Sequence, residues 1–323
     1  MSRQKRIVWV DYMRCIGLLL VIGAHVFGTS SPAIQLLFGC NVAIMIVVSG
    51  YCSVRSSECP ILEYYKKRGL QLIIHPWIFF VIYFGLVGLL TIGKQFPYSK
   101  EQIIKTFLFM DGIGYTWIIA VFLVTALATP IIKYLVDKIP PIKWGGGAIA
   151  YWTMAFTIFV FQADHNLVKV FLYVSGYLFL TFIGFSVCIE KKMLKPYLIG
   201  GIIVIFCCIV VILFRQGDIF DISGNKFPPS VYYIAYGMTI SLILIRLLSR
   251  IEDKLSSCRA TKYITELSKQ SFDIYLWHVF GLYVTKSISN DWMRFVMVIM
   301  VSVSGAWIYN EIKGRFYNRT RFV

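Results

Sequence analysis

Along the whole chain, long apolar runs alternate with short stretches that carry most of the Lys, Arg, Asp and Glu. The runs are about 17–23 residues long, the length a helix needs to cross a hydrocarbon core at roughly 1.5 Å per residue. They fall at about 7–28, 33–54, 70–92, 115–134, 145–162, 168–189, 197–214, 230–249, 271–289 and 292–312, a pattern that predicts ten membrane-spanning helices. The fifth is the least sharply bounded, because it opens on Gly145-Gly146-Gly147 with few charges near its ends. No segment alternates apolar and polar residues as a barrel strand does, and a helix satisfies its own backbone groups in lipid. The expected fold is therefore an all-α integral membrane bundle, one domain over 1–323 with short connections.

Composition strengthens this reading. Apolar residues make up 58% of the chain and charged residues 15%, against about 45–50% and roughly 25% in soluble domains. That leaves too little charged surface for a sizeable soluble domain. A net charge of +16 would suggest a nucleic-acid partner if the cations shared one face. They follow topology instead. With the N-terminus inside, 23 of the 32 Lys and Arg fall in segments expected on the cytoplasmic side, 8 on the outer side, and Arg14 within the first span. This is the positive-inside bias of a protein with both termini in the cytoplasm. The bilayer is the expected partner, nucleic acid is not, and some inner cations are placed to meet anionic lipid or an anionic cofactor.

Other features add less. The segment from Ser2 to Phe27 resembles a signal peptide, but it holds Asp11 and Arg14 in its apolar run and is followed by further spans, so it reads as an uncleaved first helix. The eight cysteines show no C-x-x-C pairing and read as small packing residues. Two outer loops are polar, one with Glu101, Lys105 and Asp111, the other with Asp218, Asp221, Gly224, Pro228 and Pro229.

Candidate chemistry lies where ionisable groups enter a span, since each is costly there unless a function or a partner retains it. The first span carries Asp11, Arg14 and His25. Eleven residues separate Arg14 from His25, about 1,100° of helix, so the two share a face about 16 Å apart along the axis, with Asp11 within roughly 60° of it. Such a stripe implies a polar cavity beside helix one. The plainer alternative is that Arg14 pairs with Asp11 at i, i+3 and that His25 is a packing residue. In SFDIYLWHVF the ninth span repeats the theme. Ser271, Tyr275 and His278 fall within about 60° of one another and Asp273 lies off that face. His75, before Pro76, and His165, beside Asp164, read as structural or solvated. Clusters of His, Cys and carboxylate with metal-ligand spacing are absent, so neither metal nor haem is expected.

Five short patterns in order carry a resemblance that spans nearly the whole chain. They are the Arg14–His25 pair in helix one, Ser49-Gly50-Tyr51 closing IMIVVSGY, and Lys67-Arg68 in EYYKKRGLQL. Trp117 to Pro130 in YTWIIAVFLVTALATP and Ser271, Tyr275 and His278 in SFDIYLWH complete them. Together they resemble the acyltransferase-3 family of bacterial multi-pass membrane acyltransferases, here as the membrane domain alone. One departure is Gln71, where a second Arg often opens the third helix.

The resemblance implies O-acylation, usually O-acetylation, of an extracytoplasmic envelope glycan using cytoplasmic acetyl-CoA, in the bacterial cytoplasmic membrane. It implies Arg14, Lys67 and Arg68 for the phosphates of the donor, and His25 as general base or transient acyl acceptor. His278 and Tyr275 would assist by orienting the thioester, and a direct pairing of His278 with His25 is left open because their depths differ. Trp117 and Asp11 are assigned to the substrate. The alternative class is a transporter or flippase for a glycan or lipid-linked precursor, with no need of His25. Self-association is also left open. A reporter fused after Val323 and another placed within 96–111 are expected to report opposite sides of the membrane; the same side for both would refute the ten-span topology.

Overall fold

A computed structural model describes residues 6–28, 32–110, 112–161, 165–220 and 229–320. Asp111, Asp164, Asp221, Gly224 and Pro228, singled out above, lie outside these residues. The helices in chain order are α1 (Val8–Val26), α2 (Pro32–Gly39), α3 (Asn41–Ser56), α4 (Ile61–Gly69), α5 (His75–Leu90), α6 (Lys100–Phe107), α7 (Trp117–Lys138) and α8 (Pro141–Phe161). They continue with α9 (Asn166–Ile189), α10 (Leu194–Phe214), α11 (Val231–Arg250), α12 (Glu252–Ser257), α13 (Thr261–Lys269), α14 (Ser271–Val284) and α15 (Asp291–Thr320).

Among the described residues there is no β-strand, and nine helical runs are long and apolar enough to cross a membrane. The protein is an all-α multi-pass membrane protein. Its lipid-facing character shows on α10, where Ile199, Ile202, Ile203, Phe206, Val210, Leu213 and Phe214 are all exposed. A helix whose exposed face is this apolar needs hydrocarbon around it. The remaining span expected at 271–289 is α14, only 14 residues long. Seven of those residues, among them Tyr275 and His278, are buried. A helix packed mostly against protein need not match the thickness of the bilayer. It stops where Thr285 closes it, the hydroxyl and the amide both bonding to the Gly281 carbonyl.

Two boundaries differ from the sequence expectation for local reasons. The third span begins well before residue 70, because α4 runs into α5 through a π turn at Leu70–Ile74. Pro76 follows, and a π turn absorbs the register change that a proline imposes on a helix. The fifth span starts at Pro141 rather than 145, with the three glycines inside α8. Proline suits a helix start because its missing N–H would have no partner there anyway.

The chain divides into two compact units, one formed by residues 1–41 and 247–323, the other by 42–246. In the second unit, Ile132, Val136, Trp144 and Phe185 form a core cluster joining α7, α8 and α9. There α3 and α9 approach so closely that glycine is required twice. A Cβ on Gly50 would lie 2.3 Å from the Thr181 carbonyl oxygen, and one on Gly184 would lie 2.0 Å from the Val47 carbonyl oxygen. Small residues let helix backbones meet in a medium where lipid supplies no hydrophobic drive for association. In the first unit α1 packs against α2, α13, α14 and α15, and the ring of Trp277 in α14 lies over Gly305 of α15. Gly184→Ala is expected to cost about 1–3 kcal/mol and to lower the thermal midpoint in detergent by several degrees. Gly200→Ala, which would meet nothing within 4 Å, serves as the control, and equal midpoints for the two variants would contradict the close approach.

Candidate active site

Asp11 stands in the first turn of α1 and is only 2% exposed. Each carboxylate oxygen accepts two bonds. Oδ2 takes the Arg6 Nε at 2.6 Å and the Thr265 hydroxyl at 3.3 Å, while Oδ1 takes the Arg6 Nη2 and the Ser268 hydroxyl, both at 2.7 Å. A carboxylate has about four acceptor positions, so this one is saturated. Its partners come from the segment before α1 and from α13, some 250 positions away, which no local spacing could reveal. Asp11 was assigned above to the substrate. In the structure its lone pairs are occupied and it ties α13 to α1.

Arg14 lies one turn further along, half-buried, and makes no hydrogen bond or ion pair with any described residue. The pairing with Asp11 considered from sequence is absent because Arg6 already holds that carboxylate bidentately. An arginine in an apolar span that has no ion pair among the described residues is a candidate for meeting an anion.

At the other end of α1, the half-buried His25 ring stacks on His278 of α14, with centroids 5.4 Å apart and planes inclined by 23°. The pairing left open from the sequence is thus realised, and the two histidines form one centre. His278 is fully buried, and the Tyr275 ring lies 4.8 Å from it. The His278 Nδ1 hydrogen-bonds to the carbonyl oxygen of Tyr275, one turn back. A carbonyl oxygen only accepts, so Nδ1 must carry the proton. In a neutral ring that arrangement leaves Nε2 as the basic nitrogen, which is how a partner on one ring nitrogen fixes the role of the other.

Asp11, Arg14, His25, Tyr275 and His278 therefore all belong to the first unit. Lys67, Arg68 and Trp117 belong to the second. There Lys67 pairs with Glu63 at 2.6 Å on an exposed face of α4. Arg68 donates to Gln71 and to Ser56, each at 3.0 Å, and its guanidinium lies 5.6 Å from the centre of the Tyr64 ring. Gln71, the departure noted above, is thus the residue that steadies Arg68. Trp117 opens α7, half-buried, with its ring 6.4 Å from that of Tyr177. His165 accepts the Leu167 amide at 3.3 Å and caps α9, a structural role. Among the described residues no three metal-ligating side chains converge.

The fold and this centre define a polytopic membrane protein with paired histidines between two of its helices. The chain belongs to the acyltransferase-3 family, since the family model described as an acyltransferase domain matches residues 7–311. No curated protein and no solved structure matches the chain. The family makes this a membrane acyltransferase and suggests a donor of the acyl-CoA type.

The two charges of α1 are expected to respond differently to truncation. Asp11→Ala would release four donors, and breaking a partly buried charged network costs about 1–3 kcal/mol or more. That variant should lose thermal stability in detergent, while Arg14→Ala should keep the wild-type midpoint and weaken binding of acetyl-CoA by about ten- to a hundredfold, the worth of a charge-assisted hydrogen bond. Unfolding of Arg14→Ala, or unchanged affinity, would remove Arg14 from the donor site.

Proposed function

We propose that the protein O-acetylates an extracytoplasmic envelope glycan with the acetyl group of cytoplasmic acetyl-CoA, and that it works in the cytoplasmic membrane of a bacterium with both termini inside. The observation that carries this reading is the stacked His25–His278 pair in a chain of an acyltransferase family. Acyl transfer to a sugar needs a group that takes the hydroxyl proton as the oxygen attacks, and neutral histidine does this near pH 7. His25, the more open of the pair, is assigned as that base. The hydroxyl oxygen bonds to the thioester carbonyl carbon, the carbon–sulfur bond breaks, and the proton passes through His25 to the departing CoA sulfur. If His25 first takes the acetyl group itself, the same bonds break and form in two steps.

His278 is assigned as a positioning residue, its ring held by its own backbone and packed on His25. The Tyr275 ring lies 4.8 Å from that ring. Arg14 is assigned to a phosphate of the donor, for which a guanidinium offers a bidentate fork. Lys67 and Arg68 are proposed as further donor contacts and Trp117 as a stacking surface for the acceptor sugar.

His25→Gln keeps a hydrogen-bonding side chain but cannot accept a proton at neutral pH. It is expected to lower the O-acetyl content of purified glycan by about 10²–10⁴-fold at matched expression, while acetyl-CoA binding persists. Near wild-type acetylation in that variant would end the assignment of His25 as base.

A further inference from the structure

The largest concentration of charge that this chemistry leaves unused lies in α12 and α13. Both are fastened to α1 along one side. The Glu252 carboxylate accepts the Val8 amide at 3.1 Å, the Tyr12 and Thr261 hydroxyls bond at 2.9 Å, and the Cys15 thiol reaches the Ile264 carbonyl at 3.5 Å. Thr265 and Ser268 complete the contact through Asp11. The fastened stretch of α1 thus runs from Val8 to Cys15 and contains Arg14.

The opposite side of α12 and α13 faces away from α1 and is cationic. Lys254, Arg259 and Lys262 are exposed and form no ion pair with a described residue, whereas Lys269 is neutralised by Glu266 at 2.6 Å. Of the acidic groups nearby, Glu252 is engaged with the Val8 amide and Asp253 is exposed. Beside the cations stands Tyr263, 72% exposed. Between Glu252 and Lys269 no large aliphatic side chain is exposed. A helix that lies in a lipid surface must offer an apolar face to the acyl chains; the apolar side of α13 is turned to α1 instead.

Cations without partners, one open aromatic ring and no apolar face suit a solvated polyanion that carries a ring. We infer that this surface docks the phosphorylated adenosine head of the acyl-CoA donor, its phosphates meeting Lys254, Arg259 and Lys262 and its adenine stacking on Tyr263. The inference rests on the donor assigned above. It explains why the protein ties a basic helix rigidly beside Arg14: the head is held on the cytoplasmic side while the slender thioester arm enters along α1.

The test uses the full-length protein in nanodiscs of phosphatidylcholine, with acetyl-CoA and acetyl-pantetheine, which has the same thioester but no adenosine phosphates. The wild type is expected to bind acetyl-CoA the more tightly. The triple variant Lys254→Gln, Arg259→Gln, Lys262→Gln should lose about tenfold or more of that advantage, given several exposed charge contacts, and its affinity should depend less on salt. Tyr263→Leu should lower the advantage with the salt dependence retained. An acetyl-CoA affinity in the triple variant within about twofold of wild type overturns the inference. So does an unchanged acetyl-CoA affinity together with reduced retention of phosphatidylglycerol by the triple variant in a parallel set of nanodiscs that contain that lipid, which would assign the surface to lipid headgroups. Wild-type protein that binds neither thioester would refute the donor reading itself, a result distinct from the other two.

Discussion

Within hydrocarbon a polar group has no water to turn to, and this constraint sorts the side chains of the protein. Most hydroxyls meet it at no cost to their neighbours by bonding back into their own helix. Thr129 donates to the Thr125 carbonyl at 2.8 Å, Thr181 to that of Tyr177 at 2.9 Å, and Ser241 to that of Gly237 at 2.7 Å. Such residues read as polar in the sequence yet act as packing residues. Asp11 meets the constraint at long range, by collecting four donors from two other segments. Arg14, half-buried, forms no ion pair within the described residues, and the proposed function gives it an external anion instead.

The spans could be read from the sequence because the signal is local and repeated. The runs at 230–249 and 168–189 reappear almost unchanged as Val231–Arg250 and Asn166–Ile189. Errors occur where a backbone feature overrides hydropathy. A π turn carries α4 into α5 although Lys66, Lys67 and Arg68 lower the apolarity there, and Pro141 starts α8 ahead of its apolar stretch. The division into two compact units was not visible, because a split that joins residues 1–41 with 247–323 has no mark in composition or linker.

For the candidate site, periodicity was informative within a helix and blind between helices. It set Tyr275 and His278 on one face of the ninth span, and their rings do lie together in α14, but a difference in depth along the axis left the meeting of His278 with His25 open. That argument assumed two full-length spans. At 14 residues α14 is short, and its position is set by packing on α1 and α15 rather than by bilayer thickness. The partners of Asp11 were hidden from the sequence for a related reason. Its nearest cation in sequence is Arg14, at i+3, but Arg6 reaches back to it with two nitrogens, and Thr265 and Ser268 come from α13.

These observations assign different work to the two ends of α1. The N-terminal end is a polar joint in which every lone pair of Asp11 is used, so it is built to hold still. The C-terminal end is a pair of rings in contact, where the His278 Nδ1 is engaged by the Tyr275 carbonyl. A base that must gain and lose a proton in each turnover needs a neighbour that does not compete for it. A fully buried imidazole whose Nδ1 is engaged by its own helix is such a neighbour. In the proposed mechanism proton exchange falls to His25, the half-buried member of the pair. There the asymmetry of burial, more than the presence of two histidines, would give each ring its role.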